Sequence, residues 1–119
     1  MDFFTLASGS SGNAALVRQQ NTALLIDAGI SARRITQSLA EAGLSLDALD
    51  GILITHEHVD HIRGLQTLCK KCAIPIYASR GTAQSLDFVG AALRIFDAGE
   101  RFTLGAFDVT TFPSSQSSR

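Results

Sequence analysis

Short apolar runs and longer amphipathic segments alternate along this chain of 119 residues. Runs rich in β-branched and aromatic residues predict strands, whereas apolar positions that recur every three or four residues predict helices. The predicted strands are residues 2–7, 14–18, 22–27, 51–54, 74–78 and 94–96, with a hairpin over 101–112. The predicted helices are residues 31–42, about 60–72 and 81–88, with a short helical segment at 45–50. This order indicates a mixed α/β fold.

Local signals set the ends of several elements. Ser31 is a natural N-cap for the helix over 31–42, and Gly43 ends that helix. The polar residues 19–21 predict a tight turn that pairs the two flanking strands as a hairpin. Pro75 cannot donate a hydrogen bond to a neighbouring strand, so we expect the strand over 74–78 to lie at an edge or end of the sheet.

All three histidines of the chain, His56, His58 and His61, lie within six positions, together with Asp60. They follow the apolar run 51–54 and precede a predicted helix, so they lie at a strand-to-helix turn. Such turns hold ligands in many α/β proteins because several side chains converge there on a rigid support. Imidazole and carboxylate groups are the ligands that zinc, iron and manganese prefer. The string therefore predicts a metal site.

Spacing divides these side chains into two pairs. In an extended loop His56 and His58 project to one side and share an ion, whereas Asp60 and His61 lie one turn further on and serve a neighbouring ion. A chance cluster of polar residues in a solvated loop is the simpler interpretation for any one of them alone. The complete string behind a buried strand favours metal binding.

This string resembles the metal-binding motif of the metallo-β-lactamase superfamily. Two other segments are similar to the same family. Residues 4–13, with the sequence FTLASGSSGN, resemble the opening of a bacterial branch, the YycJ/WalJ-like proteins, which are described as nucleases. Residues 24–29, with the sequence LLIDAG, resemble the family's strand that ends in an aspartate and a glycine. The resemblance extends to about Pro113.

The resemblance implies that the chain forms roughly the first half of an αββα sandwich. It implies that His56, His58, Asp60 and His61 hold two divalent metal ions, with zinc as the first expectation and manganese as the alternative. Asp60 is also the nearest candidate for catalytic proton transfer.

Three further residues take roles from the same resemblance. Asp27 is expected to support the histidine loop through hydrogen bonds rather than to bind metal. Gly64 is expected to let the helix after the motif pack closely. Asn13, in a loop expected beside the metal cleft, is a candidate contact for substrate.

The implied activity is metal-dependent hydrolysis of phosphodiester bonds, with nucleic acid as the expected substrate. One alternative is a thioester or lactone hydrolase, because a fold hosts many substrates. The other alternative is a catalytically incomplete fragment with weak metal binding or none.

The metal ligands in this chain are too few for a complete site. A catalytic zinc normally keeps three protein ligands and one position for water, whereas each predicted pair supplies two ligands. Gln116 lies where the family is expected to have a further histidine. We therefore expect an amino-terminal fragment, with a domain part at 1–113 and an unstructured tail at 114–119. The alternative is a natural short form that self-associates through exposed sheet surface to complete one site.

Composition adds three expectations. A hydrophobic content of 45% suits one modest core and a single domain. A net charge of −1 gives no overall attraction to nucleic acid, which weakens the nuclease interpretation. The absence of a signal-like opening and of a long apolar run predicts a cytoplasmic protein without a membrane partner.

Two remaining features have structural explanations. Cys69 and Cys72 fall late in a predicted helix and on its apolar face, so we expect small buried side chains rather than a redox or metal pair. The glycine–serine loop at 8–13 lacks the lysine of a phosphate-binding P-loop and precedes a strand, so we expect a tight connection between strands.

Overall fold

The computed structural model describes residues 2–9, 12–56, 59–71, 73–97 and 99–111. Within these residues, a six-stranded sheet carries helices on one face and a two-stranded hairpin on the other. The strands of the sheet are β1 (Asp2–Ala7), β2 (Ala14–Gln19), β3 (Thr22–Ile26), β4 (Gly51–Ile54), β5 (Ile76–Ser79) and β6 (Leu93–Phe96). The hairpin strands are β7 (Arg101–Leu104) and β8 (Phe107–Thr110). The helices are α1 (Ala32–Glu41), α2 (Val59–Ile62), α3 (Leu65–Lys71) and α4 (Arg80–Ala83), with 3-10 turns at Leu46–Ala48 and Asp87–Ala92.

Neighbouring strands of the sheet follow the order of the chain. β1, β2 and β3 pair antiparallel, whereas β3, β4, β5 and β6 pair parallel. Parallel neighbours need a crossover connection, and the helices supply it. The carboxyl ends of four strands, β3 to β6, therefore lie along one edge of the sheet.

Alternate strand residues fill two separate cores, because successive side chains of a strand point to opposite faces. The helix-side core includes the buried residues Leu16, Leu25, Ile35, Leu39, Ile52 and Leu68. The hairpin-side core consists of Val17, Leu24, Leu104 and Phe107. The sheet is thus covered on both faces, by helices on one and by a second sheet on the other.

Most predicted elements are confirmed, and the helix over 31–42 is the clearest case. α1 begins after Ser31, whose Oγ accepts a hydrogen bond from Arg34 N at 3.2 Å. Both predicted hairpins form, around residues 20–21 and 105–106. Local sequence was sufficient for these elements because caps and tight turns depend on adjacent residues.

The expected edge position of the strand near Pro75 is wrong. β5 begins at Ile76 and lies between β4 and β6. Pro75 precedes the strand, and its carbonyl oxygen accepts a hydrogen bond from Ile52 N at 2.9 Å. A proline just outside a strand removes no ladder hydrogen bond, so it does not exclude an interior position.

The single helix predicted over about 60–72 is two helices, α2 and α3, which are separated at residues 63–64. The close packing expected of Gly64 is confirmed, because a Cβ atom there would meet the carbonyl oxygen of Ile30 and would lie 2.9 Å from Ala32 N. The helix predicted over 81–88 is also wrong in its extent, since α4 ends at Ala83 and a 3-10 turn follows later.

Cys69 is partly buried and packs against the helix-side core, as predicted. Cys72, Gln116 and the tail at 114–119 lie outside the described residues, so the expected division of the chain at Pro113 stays a prediction. None of the helices in the described part of the chain is both long and apolar enough to span a membrane.

Candidate metal centre

The candidate site lies where β3 and β4 end side by side. Asp27 directly follows β3, while Thr55 and His56 directly follow β4. His61 lies in α2, which begins three residues after His56. The parallel pairing of Ile26 with Leu53 brings these strand ends to the same edge of the sheet.

The carboxylate of Asp27 is the centre of the hydrogen-bond network. Its Oδ1 accepts from Thr55 N at 2.7 Å. Its Oδ2 accepts from Thr55 Oγ1 at 2.7 Å and contacts His61 Nδ1 at 2.7 Å. Asp27 is only 5% exposed, so these partners compensate the cost of burying its charge. Asp27 also adopts a φ of 65°, a left-handed conformation that aspartate tolerates better than most residues.

This network sets the tautomers of two imidazoles. An ionised carboxylate can only accept, so Nδ1 of His61 carries the hydrogen and Nε2 carries the lone pair. The hydroxyl hydrogen of Thr55 points to Asp27, so its oxygen accepts from Nδ1 of His56 at 3.0 Å. His56 is therefore held in the same tautomer as His61, and one carboxylate orients both rings.

The backbone around Asp27 is tied to the motif as well. Asp27 N donates to Leu53 O at 2.8 Å. Ala28 N donates to His61 O at 2.7 Å, and Gly64 N donates to Ala28 O at 2.7 Å. These bonds fix the segment after β3 against α2 and the start of α3.

Asn13 closes the loop between β1 and β2. Its Nδ2 donates to Gly9 O at 2.9 Å, and its Oδ1 accepts from Gly9 N at 3.2 Å. Its carbonyl oxygen accepts from Gly29 N at 2.8 Å, which places the loop beside the segment that follows Asp27. The side-chain amide thus has a structural task, and its predicted contact with substrate stays a prediction.

Of the four predicted metal ligands, the structure describes the side chains of His56 and His61. Their ring centroids lie 4.8 Å apart. His58 lies outside the described residues, and for Asp60 the description covers the backbone in α2 but not the side chain. The division of the four ligands between two ions therefore stays a prediction.

The donor groups nevertheless fit a divalent metal. Among the described residues, no group of three His, Cys, Asp or Glu side chains forms a complete metal site. However, His56 and His61 lie together, and the hydrogen bond from Nδ1 of His61 to a carboxylate is the usual support of a metal-binding histidine. In this tautomer the lone pair of each imidazole is on Nε2, and an imidazole lone pair is a donor that zinc binds.

Thr55 is the functional residue that sequence reasoning missed. Its backbone N–H and its hydroxyl both donate to Asp27, and the hydroxyl oxygen also accepts from Nδ1 of His56, which orients that ring. The sequence does place Thr55 between the buried strand and the first histidine. That position alone does not indicate a role, because threonine is common at strand ends.

An ion pair lies further along the same edge of the sheet, after β5 and β6. Arg80 Nε contacts Asp97 Oδ1 at 2.8 Å. The hydrogen bond and charge of Arg80 hold the pKa of the Asp97 carboxyl below its ordinary value, and Asp97 raises the pKa of Arg80. Both side chains are well exposed, so solvent screens this pair and it adds little to stability.

Comparisons with known proteins agree with this geometry. A family model described as the metallo-beta-lactamase superfamily matches residues 7–99. The exodeoxyribonuclease WalJ of Streptococcus pneumoniae is 40% identical over 114 residues, which cover 90% of this chain and 42% of that protein. The exodeoxyribonuclease YycJ of Bacillus anthracis is 36% identical over 117 residues, which cover 94% of this chain and 44% of that protein.

A solved structure described as a B3 metallo-beta-lactamase with an active-site glutamic acid matches with a TM-score of 0.77 at 24% identity. The match covers 92% of this chain and 48% of that one, so this chain spans less than half the length of each protein compared. The predicted resemblance, including its YycJ/WalJ-like branch, and the predicted sandwich architecture are confirmed. The match to the family model supports the use of a divalent metal.

Proposed function

Because this chain belongs to the metallo-β-lactamase superfamily, we propose that it supplies part of the metal site of a DNA-hydrolysing enzyme. The proposed reaction is metal-dependent hydrolysis of phosphodiester bonds. The names of the two exodeoxyribonuclease relatives support DNA as the substrate. The hydrogen bond from His61 to the carboxylate of Asp27 is the observation that carries the metal site, because it prepares a histidine for ligation.

The proposed ligands form two sets. His56 and His58 bind a first ion, and Asp60 and His61 bind a second, with zinc as the expected metal and manganese as the alternative. Asp27 orients His61 directly and His56 through Thr55. Asp60 is the proposed proton-transfer group, because it is the carboxylate that we place beside the ions.

A bound pair of divalent ions lowers the pKa of water and stabilises the leaving oxygen. The contribution of this chain is preorganisation. Asp27 and Thr55 fix both imidazoles before substrate arrives, so the site does not have to reorganise during the reaction. The backbone hydrogen bonds of Ala28 with His61 in α2 and with Gly64 just before α3 support the same geometry.

A labelled single-stranded DNA incubated with the chain and Zn²⁺ or Mn²⁺ tests the proposal. Where two copies of the chain complete one site by self-association, we expect release of nucleotides that depends on the metal, stops with a chelator and is lost in His56→Ala. Asp108→Ala is the matched control, because Asp108 is an exposed carboxylate of the hairpin. Absence of metal-dependent release by the unsubstituted chain would contradict DNA hydrolysis by the chain itself.

Two parallel measurements separate the parts of the proposal. Metal uptake by equilibrium dialysis tests the site without requiring turnover, and His56→Ala is expected to bind less metal than the unsubstituted chain. Assays with a thioester and a lactone test the substrate class. Hydrolysis of either compound without cleavage of DNA would assign the site to that other substrate.

A further inference from the structure

Three exposed arginines lie on two segments that contact each other beside the candidate metal centre. Arg33 and Arg34 are in the first turn of α1, and Arg63 lies between α2 and α3. The residue after Arg63 is Gly64, whose missing Cβ would lie 2.9 Å from Ala32 N. The backbone next to Arg63 therefore touches the start of α1, and we call Arg33, Arg34 and Arg63 the arginine surface.

The arginine surface differs from Arg80 and Arg101 because none of its members is paired with a carboxylate among the residues that the structure describes. Elsewhere, Arg80 contacts Asp97 at 2.8 Å and Arg101 contacts Asp108 at 3.4 Å. In the described part of the chain, no carboxylate forms an ion pair with a member of the arginine surface. The flanking stretches 28–40 and 61–86 contain neither Asp nor Glu.

Helix stability does not explain the positions of Arg33 and Arg34. The amino-terminal end of a helix carries partial positive charge, so cations in the first turn are unfavourable there. The first turn of α1 contains no acidic residue. By contrast, Lys70 and Lys71 lie in the last turn of α3, where the helix dipole favours a cation.

The arginine surface lies close to the proposed ligands. Arg63 follows His61 by two positions, and Gly64 N donates to Ala28 O at 2.7 Å, one residue from Asp27. The net charge of −1 hides this local excess of positive charge. A surface with three exposed guanidinium groups complements a polyanion, because a guanidinium binds phosphate through two parallel hydrogen bonds.

We propose that the arginine surface binds the phosphate backbone of the DNA strand that reaches the metal centre. This inference rests on the proposed function, since it takes DNA as the substrate. Each arginine that contacts a phosphate releases counterions, so binding through this surface weakens as salt is added.

Fluorescence anisotropy with a labelled single-stranded oligonucleotide tests the proposal. A chelator is present, so hydrolysis and metal do not contribute. The test variant is Arg33→Gln/Arg34→Gln/Arg63→Gln, and the matched control is Arg101→Gln, which removes an arginine with a carboxylate partner. Circular dichroism checks that the variants are folded, and the single change Arg63→Gln provides a second variant outside the helix.

We expect the triple variant to bind DNA about tenfold more weakly than the unsubstituted chain at about 50 mM salt. Its slope of log affinity against log salt concentration should be shallower by about 2, since each contact with single-stranded DNA adds about 0.7. Arg63→Gln should account for about one third of that slope, and Arg101→Gln should leave it unchanged.

Equal affinity and equal slope in the triple variant would overturn the arginine surface while leaving the hydrolase proposal intact. Failure of the unsubstituted chain to bind the oligonucleotide would overturn it as well. Binding of the same variants to vesicles of anionic lipid is measured as well. If the triple variant loses binding to vesicles but keeps its affinity for DNA, the surface recognises a membrane instead, and the proposal is wrong.

Discussion

Asp27 has a left-handed backbone conformation, and its carboxylate makes two contacts to Thr55 and one to His61. These contacts serve folding and the candidate site at the same time. A buried acceptor that loses its donors costs more than a surface hydrogen bond, because water cannot replace the partner. The stability of the chain should therefore be sensitive to this one side chain even when no metal is present.

Asp27→Asn tests whether this side chain stabilises the protein. The substitution keeps the backbone conformation accessible, because asparagine also tolerates a positive φ. The amide has one oxygen that accepts and an NH2 group that only donates. It therefore cannot accept from Thr55 N, Thr55 Oγ1 and His61 Nδ1 as the carboxylate does. We expect the free energy of unfolding to fall by about 1–3 kcal/mol, measured by urea denaturation with a chelator present.

Asp108→Asn is the control for this change. Asp108 is exposed and paired with Arg101, so the effect should stay within about 0.5 kcal/mol. Equal denaturation midpoints for Asp27→Asn and the unsubstituted chain would show that the network does not stabilise the fold.

Sequence pattern indicated His56 and His61 because the chain has three histidines within six positions, whereas the role of Asp27 came from the family resemblance. It did not identify Thr55, since hydroxyl residues are common and their role depends on the residue opposite. Here the opposite residue is 28 positions earlier in the chain. The proposed roles of His58, Asp60 and Asn13 stay predictions for solution experiments.

Among the elements, α1 shows a conflict between its cap and its charges. Ser31 Oγ accepts from Arg34 N, as an N-cap should, but the N3 position carries arginine rather than the glutamate of a capping box. The helix is thus well capped and unfavourably charged.

Arg34→Glu should therefore stabilise the protein by about 0.5–1 kcal/mol, because it removes a repulsive cation and completes the capping box. Thermal and urea denaturation measure the change. Arg34→Ala is the control that removes the cation without adding a carboxylate, and its gain should be smaller. A variant Arg34→Glu that is less stable than Arg34→Ala would contradict the capping argument.

Close contact between elements depends on Gly64. A Cβ at this position meets backbone atoms of Ile30 and Ala32, which cannot move aside as a flexible side chain could. We expect Gly64→Ala to lower the free energy of unfolding by about 2 kcal/mol or more, as overpacking against backbone does.

Gly81→Ala is the matched control for Gly64→Ala. Gly81 lies in α4, and its Cβ would meet no atom within 4 Å. Replacing a helical glycine with alanine at an open site should stabilise by about 0.4–1 kcal/mol. The two alanine substitutions should therefore change the urea midpoint in opposite directions, and a shared direction would contradict the packing analysis.

The elements that sequence predicted well are those whose determinants are local. The cap of α1 and the turns of both hairpins depend on neighbouring residues. The break between α2 and α3 depends on a contact with residues 30–32, and the interior place of β5 depends on β6. Neither of those partners is visible in the local pattern around Gly64 or Pro75.

For the whole molecule, the docking of the hairpin on the six-stranded sheet combines apolar and polar contacts. Leu104 and Phe107 pack on Val17 and Leu24. Alongside them, the buried Thr22 accepts a hydrogen bond through Oγ1 from Ala106 N at 2.8 Å. The hydroxyl therefore holds the turn of the second sheet against the start of β3.

Thr22→Val keeps the shape of the side chain and removes the acceptor for Ala106 N. We expect a loss of about 1 kcal/mol in the free energy of unfolding and faster hydrogen exchange at Ala106. Thr103→Val is the control, because Thr103 is an exposed residue of the same hairpin. Unchanged exchange at Ala106 would show that apolar packing alone docks the hairpin.

The architecture of the whole molecule was predictable because the motif and the order of elements both indicated the same family. The distribution of charge over the surface was not predictable, because a net charge is summed over all faces of the molecule. The total of −1 weakened the expectation of a nucleic-acid partner, although Arg33, Arg34 and Arg63 form no ion pair with a carboxylate in the described part of the chain. Charge must be assigned to a face before it can indicate a partner.

The two backbone bonds of Ala28 have a consequence for the thermodynamics of chelation. Its N–H donates to His61 O and its carbonyl accepts from Gly64 N, each at 2.7 Å. The backbone at His61 is thereby fixed during folding, before any cation arrives. We expect titration calorimetry to show cation uptake without a large unfavourable entropy of ordering, as in a rigid chelator rather than a flexible peptide.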